Sequence, residues 1–191
     1  MHASTKPKPQ PTPATSETSS SVNAASIAVV LATPCQNTTL TPEQANLGLV
    51  RAATLCLINQ ERARRGEQPL RLDGALEQAA QGHSEEMVSE DYFAHVSPEG
   101  ETPVQRLQAA GYPINPQVGY TVGENIAWGT LYLATPQSIV AAWLASPPHL
   151  ANILESAYRE TGLGVTPQAP PSLAQGLQGA VYSQEFGVIT H

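Results

Sequence analysis

The chain has 191 residues, 41% of them hydrophobic, and a formal net charge of −7. Its length suits one domain of ordinary size, and its acidic balance argues against nucleic acid as a partner. The mostly apolar run Ala24–Ala32 is far short of a bilayer crossing, so no transmembrane span is expected.

Residues 1–34 hold Pro, Ser, Thr and Ala, with almost no large side chain before Ile27. Such a segment buries too little apolar surface to offset its ordering entropy and is expected to be a disordered tail or tether. The core of a signal peptide is an alternative reading of Ala24–Ala32, although the region before it is long, Pro-rich and weakly basic. Residues 35–191 are expected to form the folded domain. The two cysteines are Cys35, at the edge of the tail, and Cys56, inside an apolar helix pattern. They are either free thiols with Cys56 buried, or a disulfide pinning the tail to the first helix. The disulfide is the favoured expectation; it would add about 3 kcal/mol and imply an oxidising compartment.

Thr41–Pro42–Glu43–Gln44 has the form of a capping box and predicts a helix carrying Leu47, Val50, Leu57 and Ile58, slow to start near Gly48 and stopped at Gly66. Asp73 is expected to cap a second helix over 74–89, whose inner stripe is Leu76, Ala80, His83 and Met87. His83 therefore reads as a buried, hydrogen-bonded core histidine. Ser97–Pro98–Glu99–Gly100 is a type I turn signature, and His95 just before it reads locally as a loop histidine. Thr102–Pro103 opens a short helix closed by Gly111, and 112–123 reads as a loop. Glu124, in the apolar piece between Gly123 and Gly129, reads locally as a solvated carboxylate.

Thr135–Pro136 opens a helix with Ile139, Val140, Trp143 and Leu144 on one face. Ser146 then suits the N-cap of the next helix, its hydroxyl accepting from a backbone N–H, with Pro147 at the first position. His149 falls at the third position, where the positive end of the helix dipole disfavours its protonation. Beyond Leu154 the period changes. Residues 161–166 and 180–188 read as strands joined by the Pro/Gln/Gly-rich stretch 167–178, with Tyr182, Gln184, Phe186 and Val188 sharing one face. Helices followed by an antiparallel pair make an α+β arrangement. There is no phosphate loop, no dinucleotide fingerprint, no His-Glu-x-x-His and no Gly-x-Ser-x-Gly.

Five pieces fall in an order that resembles one family. They are Asn59–Gln60–Glu61–Arg62 with Gln68–Pro69–Leu70; Phe93–Ala94–His95–Val96–Ser97–Pro98; Gly123–Glu124–Asn125–Ile126–Ala127; Trp143 through Leu154; and Gly162–Leu163–Gly164 with Tyr182–Ser183–Gln184–Glu185–Phe186. From about residue 50 onward the chain resembles the CAP superfamily (cysteine-rich secretory proteins, antigen 5, pathogenesis-related proteins) in its bacterial SCP-domain branch. The resemblance implies a three-layer α–β–α sandwich with a small antiparallel sheet, and an extracellular or cell-surface location. It also implies a cleft lined by two histidines, His95 and His149, and two acids that together can hold a divalent metal such as zinc. The first acid is Glu124; at the place of the second stands Ser146. Two imidazoles with one carboxylate match an open zinc site in ligand type, but leave no second acid to activate a bound water.

The resulting expectation is a secreted or surface-tethered monomer, non-enzymatic, whose cleft (His95, His149 and Glu124) binds a divalent metal or a small-molecule, lipid or protein ligand. Two alternatives stand beside it. One is a peptidase or cell-wall hydrolase using Glu124 and His149 with a metal-bound water; the other is an adhesive module with an inert cleft.

Overall fold

The computed structural model describes residues 16–190, with side chains from residue 23 onward. Residues 1–15, part of the expected tail, lie outside the described residues. The remainder of that tail is not irregular: Ser16–Ala32 forms helix α1. It lies along α2 (Leu47–Arg64), with Ser26 donating to Gln68 Oε1 at 3.3 Å and Gln60 donating to the Thr33 carbonyl at 2.8 Å. The contact buries little apolar surface, since Val29 and Leu31 stay exposed, and the helix is held to its neighbour by these polar contacts. The disulfide Cys35–Cys56 is formed and ties the chain after α1 to the middle of α2.

Helix α2 begins at Leu47, not at Thr41. Asn46 folds residues 41–46 into a turn, accepting from the Glu43 N–H and donating to the Thr41 carbonyl, so the capping-box pattern at Thr41 does not start a helix. Arg62, in the last turn of α2, does not face water. It is fully buried and donates to the carbonyls of Gln68, Ile153 and Glu155 at 2.7, 2.6 and 3.0 Å. The last two belong to the end of α6 (Pro147–Leu154), where free carbonyls and the negative end of the helix dipole suit a cation. Asn59 binds both the N–H and the C=O of Leu70, which explains why the Asn59–Arg62 and Gln68–Leu70 pieces occur together.

After β1 (Arg71–Leu72), Asp73 caps α3 (Gly74–Ser89) by accepting from the N–H groups of Ala75 and Leu76. Thr102 and Gln105 form a full capping box on α4 (Pro103–Ala109). Strand β2 runs from Gly119 to Thr130 and is followed by a 3₁₀ turn, Leu131–Ala134, then by α5 (Pro136–Ala145) and α6. Strands β3 (Glu160–Thr166) and β4 (Gly179–Thr190) flank the short α7 (Pro171–Ala174). The sheet order is β1-β3-β4-β2. It is mixed, since β1 pairs parallel with β3 while the other pairs are antiparallel. The start of β2 replaces the loop expected over 112–123. Its glycines hide the alternation, and its strand character comes from pairing residue for residue with β4 from Gly119↔Thr190 to Thr130↔Gly179.

Helices lie on both faces of the sheet. On one face Val50 and Ile58 of α2, Ile139 and Trp143 of α5 and Ile153 of α6 pack on Val165, Tyr182 and Phe186. On the other, Met87 of α3 packs on Ile126 and Val181. Trp143 is fixed by its indole N–H, which donates to the Ile126 carbonyl at 3.1 Å. The α+β sandwich expected from the sequence is thus formed. Edge strand β2 lies between the layer carrying α3 and the layer carrying α6.

Candidate functional site

Glu124 sits in the middle of edge strand β2, and alternation turns it toward α3 together with Ile126. It is not a solvated carboxylate: only 7% of it is exposed. Its Oε2 accepts from His83 Nδ1 at 2.6 Å and from Arg106 at 3.1 Å; its Oε1 accepts from His95 Nδ1 at 2.6 Å. Burial pushes the Glu124 pKa up, but hydrogen bonds from His83 and His95 outweigh burial and hold it well below the ordinary carboxylate range. His83 is the buried, hydrogen-bonded residue its stripe on α3 predicts. Its two ring nitrogens face the Glu124 carboxylate and the Ala94 carbonyl, at 2.6 and 3.1 Å. Both partners are acceptors, so each nitrogen must carry a proton for both contacts to be hydrogen bonds. Arg106 also donates to the His95 carbonyl at 2.6 Å. One guanidinium therefore fixes the loop carrying His95 and the acid that orients its ring.

Glu185 of β4 is the register partner of Glu124 and is fully buried. In the carboxylate form, neither of its oxygens has a hydrogen-bond partner among the described residues. Burial, and after it the neighbouring charge of Glu124, push its pKa well above the ordinary value. Held as the acid, it can donate to Glu124. Ligand atoms of His83, Glu124 and Glu185 lie within 4.8 Å of one another, a group that could hold a metal ion. In this structure His83 and Arg106 contact the Glu124 carboxylate directly, at 2.6 and 3.1 Å, so its oxygens are engaged by side chains of the protein. Among the described residues, no such three-membered group contains His95 or His149.

His149 comes from the other layer, at the start of α6. Its Nδ1 lies 2.7 Å from Ser146 Oγ, so the serine hydroxyl is not the backbone cap expected of it. Ser146 stands at the N-cap without a side-chain cap bond. Pro147 and Pro148 remove the first two N–H groups, and the hydroxyl is taken by the ring. Burial, and after it the charge of His95, lower the His149 pKa. The His95 pKa is raised by its hydrogen bond to Glu124. The two layers are locked across β2: Asn125 donates to the His149 carbonyl at 3.1 Å, and Asn152 donates to the Glu124 carbonyl at 3.0 Å and to Asn125 Oδ1 at 2.9 Å. The Gly123–Ala127 and Trp143–Leu154 pieces are therefore two halves of one joint.

His95 and His149 thus keep their Nδ1 atoms engaged, by Glu124 and by Ser146, and offer Nε2 as the nitrogen open to a ligand. Glu124 stands behind His95 and not beside it. Sequence reasoning missed Arg106 and Glu185 as members of the site. A charged residue on a strand buried on both faces was the available signal for Glu185; Arg106, on a short helix rich in polar residues, had none.

Residues 55–175 match the model of the cysteine-rich secretory protein family, CAP. The chain is 30% identical over 164 residues to the uncharacterised protein YkwD of Bacillus subtilis, covering 86% of this chain and 56% of that one. It therefore spans about half the length of this curated relative. Among solved structures, it is similar to an extracellular protein containing an SCP domain from Bacillus anthracis, with a TM-score of 0.54 and 28% identity over 75% of this chain and 40% of that chain. An outer surface protein of Borrelia burgdorferi shares the fold, with a TM-score of 0.57 and 19% identity over 75% of this chain and 92% of that chain.

Proposed function

This chain belongs to the cysteine-rich secretory protein family, and from that premise we propose that it is a non-enzymatic module whose cleft binds a divalent cation such as zinc through His95 and His149, outside the cytoplasm. The observation that carries this reading is the pairing of each Nδ1 with an oxygen partner, which leaves Nε2 of each ring for a ligand, in two rings close enough for the charge of His95 to act on His149. A ligating histidine usually has its second ring nitrogen held in this way, and a carboxylate partner makes the ring a better ligand. Glu124 then acts as the orienting partner of His95, and Ser146 as that of His149. The donor set fits a borderline cation, which imidazole suits. When bound, the cation supplies a fixed positive centre with positions open to water or to an acceptor group on a ligand.

Hydrolysis is less well supported. Glu124 already accepts from three donors and stays ionised, which makes it a weak base. Ser146 cannot replace a carboxylate in activating water. The Cys35–Cys56 bond favours an oxidising compartment, as do the surface and extracellular descriptions of the two structural neighbours.

Calorimetric titration with zinc at mildly alkaline pH tests the reading. The unmodified protein is expected to bind one equivalent, and His95→Ala and His149→Ala each to abolish binding. Glu124→Gln should weaken it by about 10- to 100-fold, as for other partners behind a ligating histidine. Equal heats in all four proteins would remove the two-histidine site.

A further inference from the structure

No Asp, Glu, Lys or Arg lies between Glu124 and Glu155, nor between Glu160 and Glu185. The end of β2, the 3₁₀ turn, α5, α6, β3 beyond Glu160, α7 and the first half of β4 are therefore free of those charges, in a chain whose net charge is −7. This part of the molecule also carries large exposed apolar side chains. In the 3₁₀ turn Leu131 is 50%, Tyr132 72% and Leu133 49% exposed; Trp128 just before it is 37% exposed, and Leu177 is 52% exposed. The Leu131 N–H donates to the Gln178 carbonyl at 2.8 Å, which sets the Leu177 segment beside the turn.

The turn is held firmly in this presentation. Leu131 has φ +52°, a left-handed conformation that costs a leucine energy and persists only where its surroundings impose it. The Tyr132 carbonyl accepts from the hydroxyls of Thr135 and Ser138, both at 2.9 Å. Gly129 lets the turn close on the strand, since a Cβ there would lie 2.3 Å from the Leu133 carbonyl oxygen. These contacts, which outweigh the strain at Leu131, hold the turn with Leu131, Tyr132 and Leu133 facing water.

We propose that this tip docks the domain onto a zwitterionic lipid bilayer, with Leu131, Tyr132 and Leu133 entering the headgroup–acyl boundary and Trp128 and Leu177 at its edge. Tyr and Trp with adjacent leucines, and no charge to desolvate, match the chemistry of that boundary. A second copy fits less well. The three tip residues expose roughly 400 Å², about half of what each partner gives to a stable interface, and two copies each carrying a net charge of −7 repel at long range. The same charge disfavours anionic lipid. The proposal is independent of the cation reading, because it uses neither His95 nor His149.

The test is flotation of the full chain with phosphatidylcholine vesicles, read together with tryptophan fluorescence. Trp143 is only 1% exposed, so a blue shift on adding vesicles reports Trp128. The unmodified protein is expected to float with the vesicles and to shift blue. Binding should be weaker on vesicles enriched in phosphatidylglycerol. Tyr132→Ser with Leu133→Ser should weaken binding at least about tenfold. Leu131→Gly should weaken it too while leaving the thermal unfolding midpoint equal or higher, since glycine relieves the left-handed strain. Absence of flotation, variants that float like the unmodified protein, or a requirement for anionic lipid would each overturn the proposal. So would a dimer in sedimentation equilibrium that these substitutions abolish, which would assign the tip to a second copy of the chain.

Discussion

At the scale of single residues, the Glu124–Glu185 pair sets the electrostatics of the site. Two carboxyls side by side under the sheet cannot both ionise cheaply. The surroundings divide the roles: Arg106, His83 and His95 converge on Glu124, and none of the described residues donates to Glu185. Glu185 therefore takes up a proton on folding at any pH between its ordinary value of 4.5 and its raised folded value. Its folded pKa being the higher, stability is full below 4.5 and declines as pH rises toward the folded value, by about 1.4 kcal/mol per pH unit. Glu124 has the opposite sign: its contribution is present above its ordinary value and is lost as pH falls through its depressed folded value. Glu185→Gln keeps the shape and offers Glu124 an amide N–H without proton uptake. Thermal melts across pH should show the variant close to the unmodified protein below 4.5 and more stable above it, with the gap widening as pH rises. Parallel pH profiles would mean that Glu185 is not held as the acid.

At the scale of elements, the position of His83 depends on how closely α3 approaches β3. The strand offers bare backbone at Gly162 and Gly164. A Cβ at Gly164 would lie 2.1 Å from the Ala80 carbonyl oxygen, and one at Gly162 would lie 2.0 Å from Leu76 and Glu77 backbone atoms. These contacts are to helix backbone, which cannot swing aside, so any side chain at either position must push α3 outward. Gly164→Ala is expected to destabilise the domain by about 3 kcal/mol and to lengthen the His83–Glu124 contact. Chemical denaturation measures the first effect, and the imidazole NMR signals of His83 the second. A fully stable variant would show that α3 can shift without cost. The Gly-x-Gly spacing was visible in the sequence, and so were the caps at Asp73 and Thr102, because both are local signals. What packs on the glycines, and that Glu185 is paired with Glu124, were not visible. Those depend on the register between β2 and β4 and on which helix covers each face, and alternation within one strand carries neither. His95, Glu124 and His149 were legible as a set only through resemblance. Taken locally, Glu124 looked solvated and Ser146 looked like a cap; the first reading failed because distant histidines claim the carboxylate, the second because His149, three residues on, claims the hydroxyl.

At the scale of the molecule, the N-terminal segment and the site are fastened by separate means. The Cys35–Cys56 bond, Gln60 on the Thr33 carbonyl and Ser26 on Gln68 hold α1 and the chain after it to the outer part of α2. The inner face of α2 is fixed independently by Val50 and Ile58 in the core and by Arg62 on the end of α6. His149 is in turn tied to β2 through Asn125 and Asn152. Removing the disulfide in the double variant Cys35→Ser, Cys56→Ser should therefore cost about 3 kcal/mol, the order expected when a cross-link closing a loop of this size is lost. Because none of the fastenings of His95 or His149 passes through Cys35, Cys56 or α1, the zinc affinity proposed for the cleft should stay within about twofold of the unmodified protein. A lower unfolding midpoint with unchanged calorimetric affinity is the expected pair of results. Loss of both together would mean that α1 supports the cleft through the helical layer, and that the anchorage of His149 reaches back through Arg62 to the first helix.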